Sequence, residues 1–102
     1  MRTDVIGRNL EVTDAIRQHA EGKAEKLHKF FRGVQQVTFR LTKIDHATTG
    51  AFEVELVIDV VKHDDFVAHA RGLDLYAMID EAVQKGSRQL TEFKERLTEG
   101  HR

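Results

Sequence analysis

The chain contains no cysteine and no proline. Without cysteine, disulfides and thiolate chemistry are excluded. Without proline, and with no low-complexity tract, nothing marks a linker between domains. No window holds an apolar run of the roughly 20 residues that a bilayer span needs. The N-terminal stretch lacks the apolar centre of a signal peptide. Neither sign of charge dominates: 16 Lys and Arg stand against 17 Asp and Glu, for a net charge of -1. A global pull toward nucleic acid is thereby excluded, and any such binding has to come from a local patch. A soluble, cytoplasmic protein without a membrane partner is expected, its residues 1–102 forming one domain large enough for a two-layer core.

Against these absences stands a clear alternation of periods. Residues 2–7 form a short run ended by Gly7, which predicts an edge strand. Thr13 is a good N-cap, because its hydroxyl oxygen accepts from an unpaired first-turn amide, and Asp14 favours the positive end of the helix dipole. Ile16, Ala20, Ala24, Leu27 and Phe31 recur at helical spacing, which predicts a helix of about 18 residues closed by Arg32-Gly33. Val37, Phe39 and Leu41 alternate with polar residues, as do Phe52, Val54, Leu56, Ile58 and Val60, giving two half-buried strands. A loop is expected from Ile44 to Gly50 and a turn at Lys62-His63-Asp64-Asp65, before a third alternating run at Phe66, Ala68 and Ala70. Close spacing of these three strands predicts an antiparallel meander. Asp74 caps a second helix whose apolar stripe is Leu75, Ile79, Val83, Leu90, Phe93 and Leu97. The order β-α-β-β-β-α defines an α+β two-layer sandwich, two helices on one face of a four-stranded sheet.

The second helix is polarised. Residues 74–84 hold three acidic and no basic side chains, whereas residues 85–96 hold four basic and two acidic ones. At 100° per residue Lys85, Arg88, Gln89 and Arg96 fall on one side, away from the apolar stripe, with Glu92 interrupting them. Acid first and base last compensates the helix dipole; the same arrangement makes a ridge suited to phosphates. The first helix carries Arg17, Lys23, Lys26 and Lys29, with Lys23 and Lys26 on the flank of His19. A solvated face accounts for most lysines of this kind. Two basic flanks make one patch only if the helices present them to the same side, which spacing does not establish.

Catalysis and metal binding find little support. His63-Asp64-Asp65 and His69 fit no zinc template, and a polar turn plus an outward strand residue is the simpler account. Asp74 is better explained as a cap and Asp80 as an acid of the helix's first turns. No Ser-His-Asp set, glycine-rich phosphate loop or nucleophile elbow is present. The outward sheet positions, Thr38, Arg40, Thr42, Glu53, Glu55, Val57, Asp59, His69 and Arg71, offer no aromatic ring apart from His69, so bases are not expected to stack there. RNA binding, on this pattern, uses helices, phosphates and shape.

Two matched segments carry more than periodicity. One runs Ile6-Gly7-Arg8-Asn9-Leu10-Glu11-Val12-Thr13-Asp14-Ala15-Ile16-Arg17; the other is Ala68-His69-Ala70, then Asp74-Leu75-Tyr76-Ala77-Met78-Ile79-Asp80, Lys85 and Arg88-Gln89-Leu90. With Lys23, Lys26 and Lys29 between them, the chain resembles, over nearly its whole length, the ribosome hibernation promoting factor family, also described as ribosome-associated translation inhibitors or sigma-54 modulation proteins. The resemblance implies a fold like that of double-stranded-RNA-binding domains, no enzymatic activity and no cofactor. It implies binding to the small ribosomal subunit in the mRNA channel over the tRNA decoding sites, in competition with mRNA and tRNA, so that translation is inhibited under stress. Ribosomal RNA contacts are implied at Lys23, Lys26, Lys85, Arg88 and Gln89, with Arg8 and Arg17 as weaker candidates. A short form is implied, without the C-terminal dimerisation domain of long members and monomeric off the ribosome. This chain departs from the family at Gly86, where a bulky apolar residue is usual; the glycine is expected either to permit close packing against the first helix or to leave that helix end softer. Gly22 replaces a usual helix former, and a mid-helix glycine costs about 1 kcal/mol against alanine. Glu92 and Glu95 dilute the ridge. The competing expectation is a regulatory protein-binding module on the same scaffold with no RNA binding.

Overall fold

In the computed structural model, which describes residues 1–44 and 51–99, strand β1 (Arg2–Arg8) lies parallel to β2 (Val34–Lys43), and helix α1 (Asp14–Phe30) makes the crossover between them. Strands β3 (Phe52–Val60) and β4 (Phe66–Gly72) extend β2 as an antiparallel meander, so the sheet order is β1-β2-β3-β4. Helix α2 (Leu75–Glu99) follows β4. The expected element order, the edge position of β1 and the meander are all present. The loop expected over 44–50 lies, from residue 45 onward, outside the described residues.

The helix starts follow their caps. Thr13 Oγ1 accepts from the Ile16 amide at 3.2 Å, and Asp74 Oδ1 accepts from the Ala77 amide at 3.3 Å. At the other end, α1 stops one residue earlier than its apolar period suggests. Phe31 has extended backbone (φ -134°) while its amide still reaches Leu27 O, and its ring leaves the helix to stack on Phe93 at 5.6 Å between centroids. Gly7 belongs to a close approach. A Cβ there would sit 2.5 Å from Leu10 O, because residues 10–12 fold back over β1. Asn9 makes that reversal with φ 62° and donates from Nδ2 to Lys43 O at 3.0 Å.

The inner sheet face and the helix layer enclose the core. One cross-strand row runs Val5, Phe39, Leu56, Ala68, all buried. Ala20, Ala24 and Leu27 of α1 and Ile79, Ala82 and Leu90 of α2 cover it. Two expectations are corrected here. Gly86 does seat a close contact, but its partner is the sheet rather than α1: a Cβ would lie 2.8 Å from Ile58 Cδ1 and 2.9 Å from Leu56 Cδ2. The glycine thus lowers α2 onto β3. Leu97, placed on the apolar stripe by its spacing, is 46% exposed. At 1.5 Å per residue the 25-residue α2 is about 37 Å long, more than the strands beneath it, and its last turns lose their partner layer.

Candidate nucleic-acid interface

The topology sets the helices side by side and in the same direction. β4 runs parallel to β1 through the β2 and β3 pairings. Each helix returns from one of these strands. The contacts agree: residue 19 of α1 meets residue 80 of α2, and residue 30 meets residue 94. The basic second halves of both helices therefore lie together, and so do their acidic beginnings. That alignment is the step that sequence spacing left open.

Between the helices runs an open groove of about 610 Å³, with Lys23, Lys26 and Phe30 on the α1 side and Asp80, Gln84 and Ser87 on the α2 side. Asp80 knots its upper end. Its Oδ1 lies 2.7 Å from His19 Nε2 and 3.5 Å from Lys23 Nζ, and the His19 ring meets Tyr76 edge-on at 5.1 Å. At the lower end Lys94 donates to Phe30 O at 3.3 Å, with its ammonium 4.7 Å from the Phe30 ring centroid. Lys94 joins this basic end on the groove side, although the sequence reading counted it without singling it out. Its signal was present as the helical continuation of Ser87 and Thr91.

The candidate contacts divide among several surfaces. Lys23 and Lys26 line the groove, Lys23 already paired with Asp80 and Lys26 exposed. Arg88 stands exposed on the outer crest of α2, with no side-chain hydrogen bond or ion pair among the described residues. Lys85 and Gln89 occupy the far flank of α2, over β4. Lys85 Nζ donates to His69 O at 2.8 Å, and Gln89 Nε2 donates to Val67 O at 3.0 Å. Arg17 is exposed on the flank of α1 turned away from α2, about 120° around the helix from Lys23. Arg8 ends β1 on the open sheet face, in a row with Thr42, Glu53 and Arg71. Lys26, Arg88 and Lys94 thus share the outer helix layer, whereas Arg8 and Arg17 lie apart from it.

The open sheet face is a neutralised surface. Glu55 accepts from Arg40 at 2.7 Å and contacts His69 Nε2 at 3.2 Å, and the Arg40 hydrogen bond, followed by that of His69, holds the Glu55 carboxyl below the usual carboxylate range. His69 is thereby engaged with Glu55. His63 is elsewhere, stacked flat on Phe66 at 4.5 Å and tilted against Phe93 at 4.4 Å. The structure does not bring the two imidazoles into one site, and among the described residues no three His, Asp or Glu side chains gather in a metal-ligating cluster. No described helix is long and apolar enough to cross a membrane.

Fold and charge define a two-layer α+β module whose distinctive chemistry is the cationic end of a helix layer. Residues 3–98 match the family described as Sigma 54 modulation protein / S30EA ribosomal protein, and the chain belongs to that family. It is 31% identical over 99 residues to the Ribosome hibernation promoting factor of Escherichia coli K12, covering 95% of this chain and 97% of that protein. The protein of the same name from Klebsiella oxytoca is 33% identical over 100 residues, with the same coverage of 95% and 97%. Among solved structures, the Protein Y N-terminal domain of Thermus thermophilus superposes with a TM-score of 0.77 at 31% identity, over 88% of this chain and 94% of that one. A ribosomal subunit interface protein from Coxiella burnetii shares the fold, with a TM-score of 0.80 at 17% identity over 93% and 99% of the two chains.

Proposed function

We propose that this chain is a ribosome hibernation factor that binds the small ribosomal subunit in the mRNA channel, over the tRNA decoding sites, and inhibits translation by occupying that space. Membership of the family, with relatives bearing the hibernation name along almost their whole length, is the observation that carries the reading. The geometry supplies a physical basis. Phosphate binding needs fixed cations on an accessible surface, and the parallel helices gather Lys26, Arg88 and Lys94 at one end of their layer. Lys23, Lys85 and Gln89 reach ribosomal RNA by exchanging the intramolecular partners they hold in the free protein. Arg8 and Arg17 contribute less, from their separate faces. The protein acts as a monomer off the ribosome, in the cytoplasm, and without a cofactor.

Occlusion has a kinetic signature. Inhibition of a purified translation system falls as mRNA and initiator tRNA are raised, weakens with added salt, and survives replacement of His63, Asp64 and His69 by alanine. Inhibition that ignored mRNA and tRNA but vanished with those three substitutions would overturn the reading in favour of chemistry at the histidines.

A further inference from the structure

Among the described residues β4 is the last strand of the sheet, and a free strand edge is a template for another strand. On an antiparallel strand the backbone groups of alternate residues turn outward. Here the outward set contains Val67 and His69, because their carbonyls are met from the α2 side by Gln89 and Lys85. Two helix side chains thus occupy the acceptors that an added strand would use. The side chains on the open-face side of this edge include Val67, 42% exposed, with Arg71 exposed two positions beyond His69.

We propose that the outer edge of β4 is a strand-addition surface for a second copy of this chain, held closed by Lys85 and Gln89. The edge is self-complementary. In an antiparallel pairing with its two-fold axis at Ala68, Val67 faces His69 of the second copy, and the two exchange both backbone bonds. Asp65, the residue just before β4, then stands opposite Arg71 twice over once the pairing extends the strand by one residue, giving two ion pairs across the axis. On the inner face Ala68 meets Ala68 and Phe66 meets Ala70, so no bulky pair is forced together. Sliding the register by two residues in either direction sets Val67 against Val67 or His69 against His69 and loses both Asp65–Arg71 pairs. Such an isologous pairing closes on itself and joins two four-stranded sheets into one. The axis is normal to the sheet, so it also brings the two α2 flanks together. Lys85, which reaches His69 O, then lies beside Gln89 of the second copy, which reaches Val67 O, so the guard crowds the seam as well as covering the acceptors.

The test follows from these pairs and does not involve the ribosome, so it stands independently of the hibernation reading. Analytical ultracentrifugation of the Lys85→Ala, Gln89→Ala double variant is expected to show a dimer whose dissociation constant is at least tenfold below that of the native chain. Adding Arg71→Asp returns it to monomer, and adding Asp65→Arg to that variant restores the dimer. A double variant that stays monomeric, or one whose association ignores both charge changes, overturns the proposal; the second outcome describes an edge that takes any strand. A second measurement leaves the guard in place, in case the double variant does not fold. The chain has no cysteine of its own. Mixed Val67→Cys and His69→Cys proteins, oxidised together, are expected to form the heterodisulfide in at least fivefold excess over either homodisulfide. Statistical mixing of the three products overturns the pairing.

Discussion

Replacing Arg88 and Lys85 one at a time separates a free cation from an engaged one. Each phosphate contact contributes about 0.7–0.9 to the slope of log K against log salt, which at 0.1 M salt corresponds to about 1 kcal/mol or about sixfold in affinity. Arg88 is exposed and holds no side-chain partner among the described residues, so Arg88→Ala is expected to lose that full amount. Lys85 has to give up its bond to His69 O in order to turn to a phosphate. A net hydrogen bond is worth about 0.5–1.5 kcal/mol, and most of the Lys85 gain is offset by it. Lys85→Ala is therefore expected to cost only about twofold in affinity while flattening the slope as much as Arg88→Ala does. The double variant flattens it by about 1.4–1.8. Titration of labelled protein with small ribosomal subunits over a salt series reads both quantities. Melting curves run alongside, where Arg88→Ala is expected to stay within about 0.5 kcal/mol of the native chain, as exposed sites do. An unchanged slope in Arg88→Ala removes the α2 crest from the interface, and a larger loss for Lys85 than for Arg88 refutes the exchange argument.

The glycines and the sheet-face carboxylate yield three further expectations. Gly86→Leu forces atoms into the contact with Ile58 and Leu56, and overpacking of that kind costs about 1–3 kcal/mol; a raised denaturant midpoint refutes the close seating of α2 on β3. Gly22→Ala is expected to stabilise by roughly 1 kcal/mol, since a Cβ there meets nothing within 4 Å and the site is a helix interior; an unchanged melting temperature counts against it. Glu55 has a folded pKa lowered from 4.5, so its contribution to stability is present above about pH 4.5 and is lost as the pH falls through the lower folded value. Glu55→Gln should accordingly lower stability at pH 6 by less than about 1 kcal/mol, as surface ion pairs do. The difference should vanish under strong acid, and one that grew in acid would refute the assignment.

The elements of this fold were legible because each carries a local signature. Thr13 and Asp74 cap as their chemistry requires, and the alternation in β2, β3 and β4 names the inner face residue by residue. Partners distant in the chain were not legible. Gly86 announces a close approach, but periodicity is silent on whether a helix or a strand is approached. Leu97 keeps the helical period after the sheet has run out beneath it. Lys85 and Gln89 lie on the polar side of a helical wheel, and nothing in the wheel reveals a strand edge whose carbonyls they reach across 16 and 22 residues. The same holds for Asp80. An acid in the first turns of α2 satisfies the dipole argument, yet its observed work is to bind His19 and Lys23 across the groove.

The net charge of -1 is the wrong scale on which to judge affinity for RNA. Screening limits each charge to a range of about 10 Å at 0.1 M salt, so a phosphate responds to its own end of the molecule. Residues 23–29 and 85–96 together hold seven Lys and Arg against three Glu, while residues 14–22 and 74–84 hold one Arg against five Asp and Glu. Had the helices run antiparallel, these halves would have faced one another and cancelled. Because α1 and α2 run parallel, the basic halves adjoin and the helix layer is positive at one end and negative at the other. The helix dipoles place partial negative charge at the same end as the cations and offset part of the effect, by about half a charge per helix. Seven cations less three carboxylates still leave that end positive. The β-α-β-β-β-α order itself, by making β1 and β4 parallel, is what turns a balanced composition into a cationic surface.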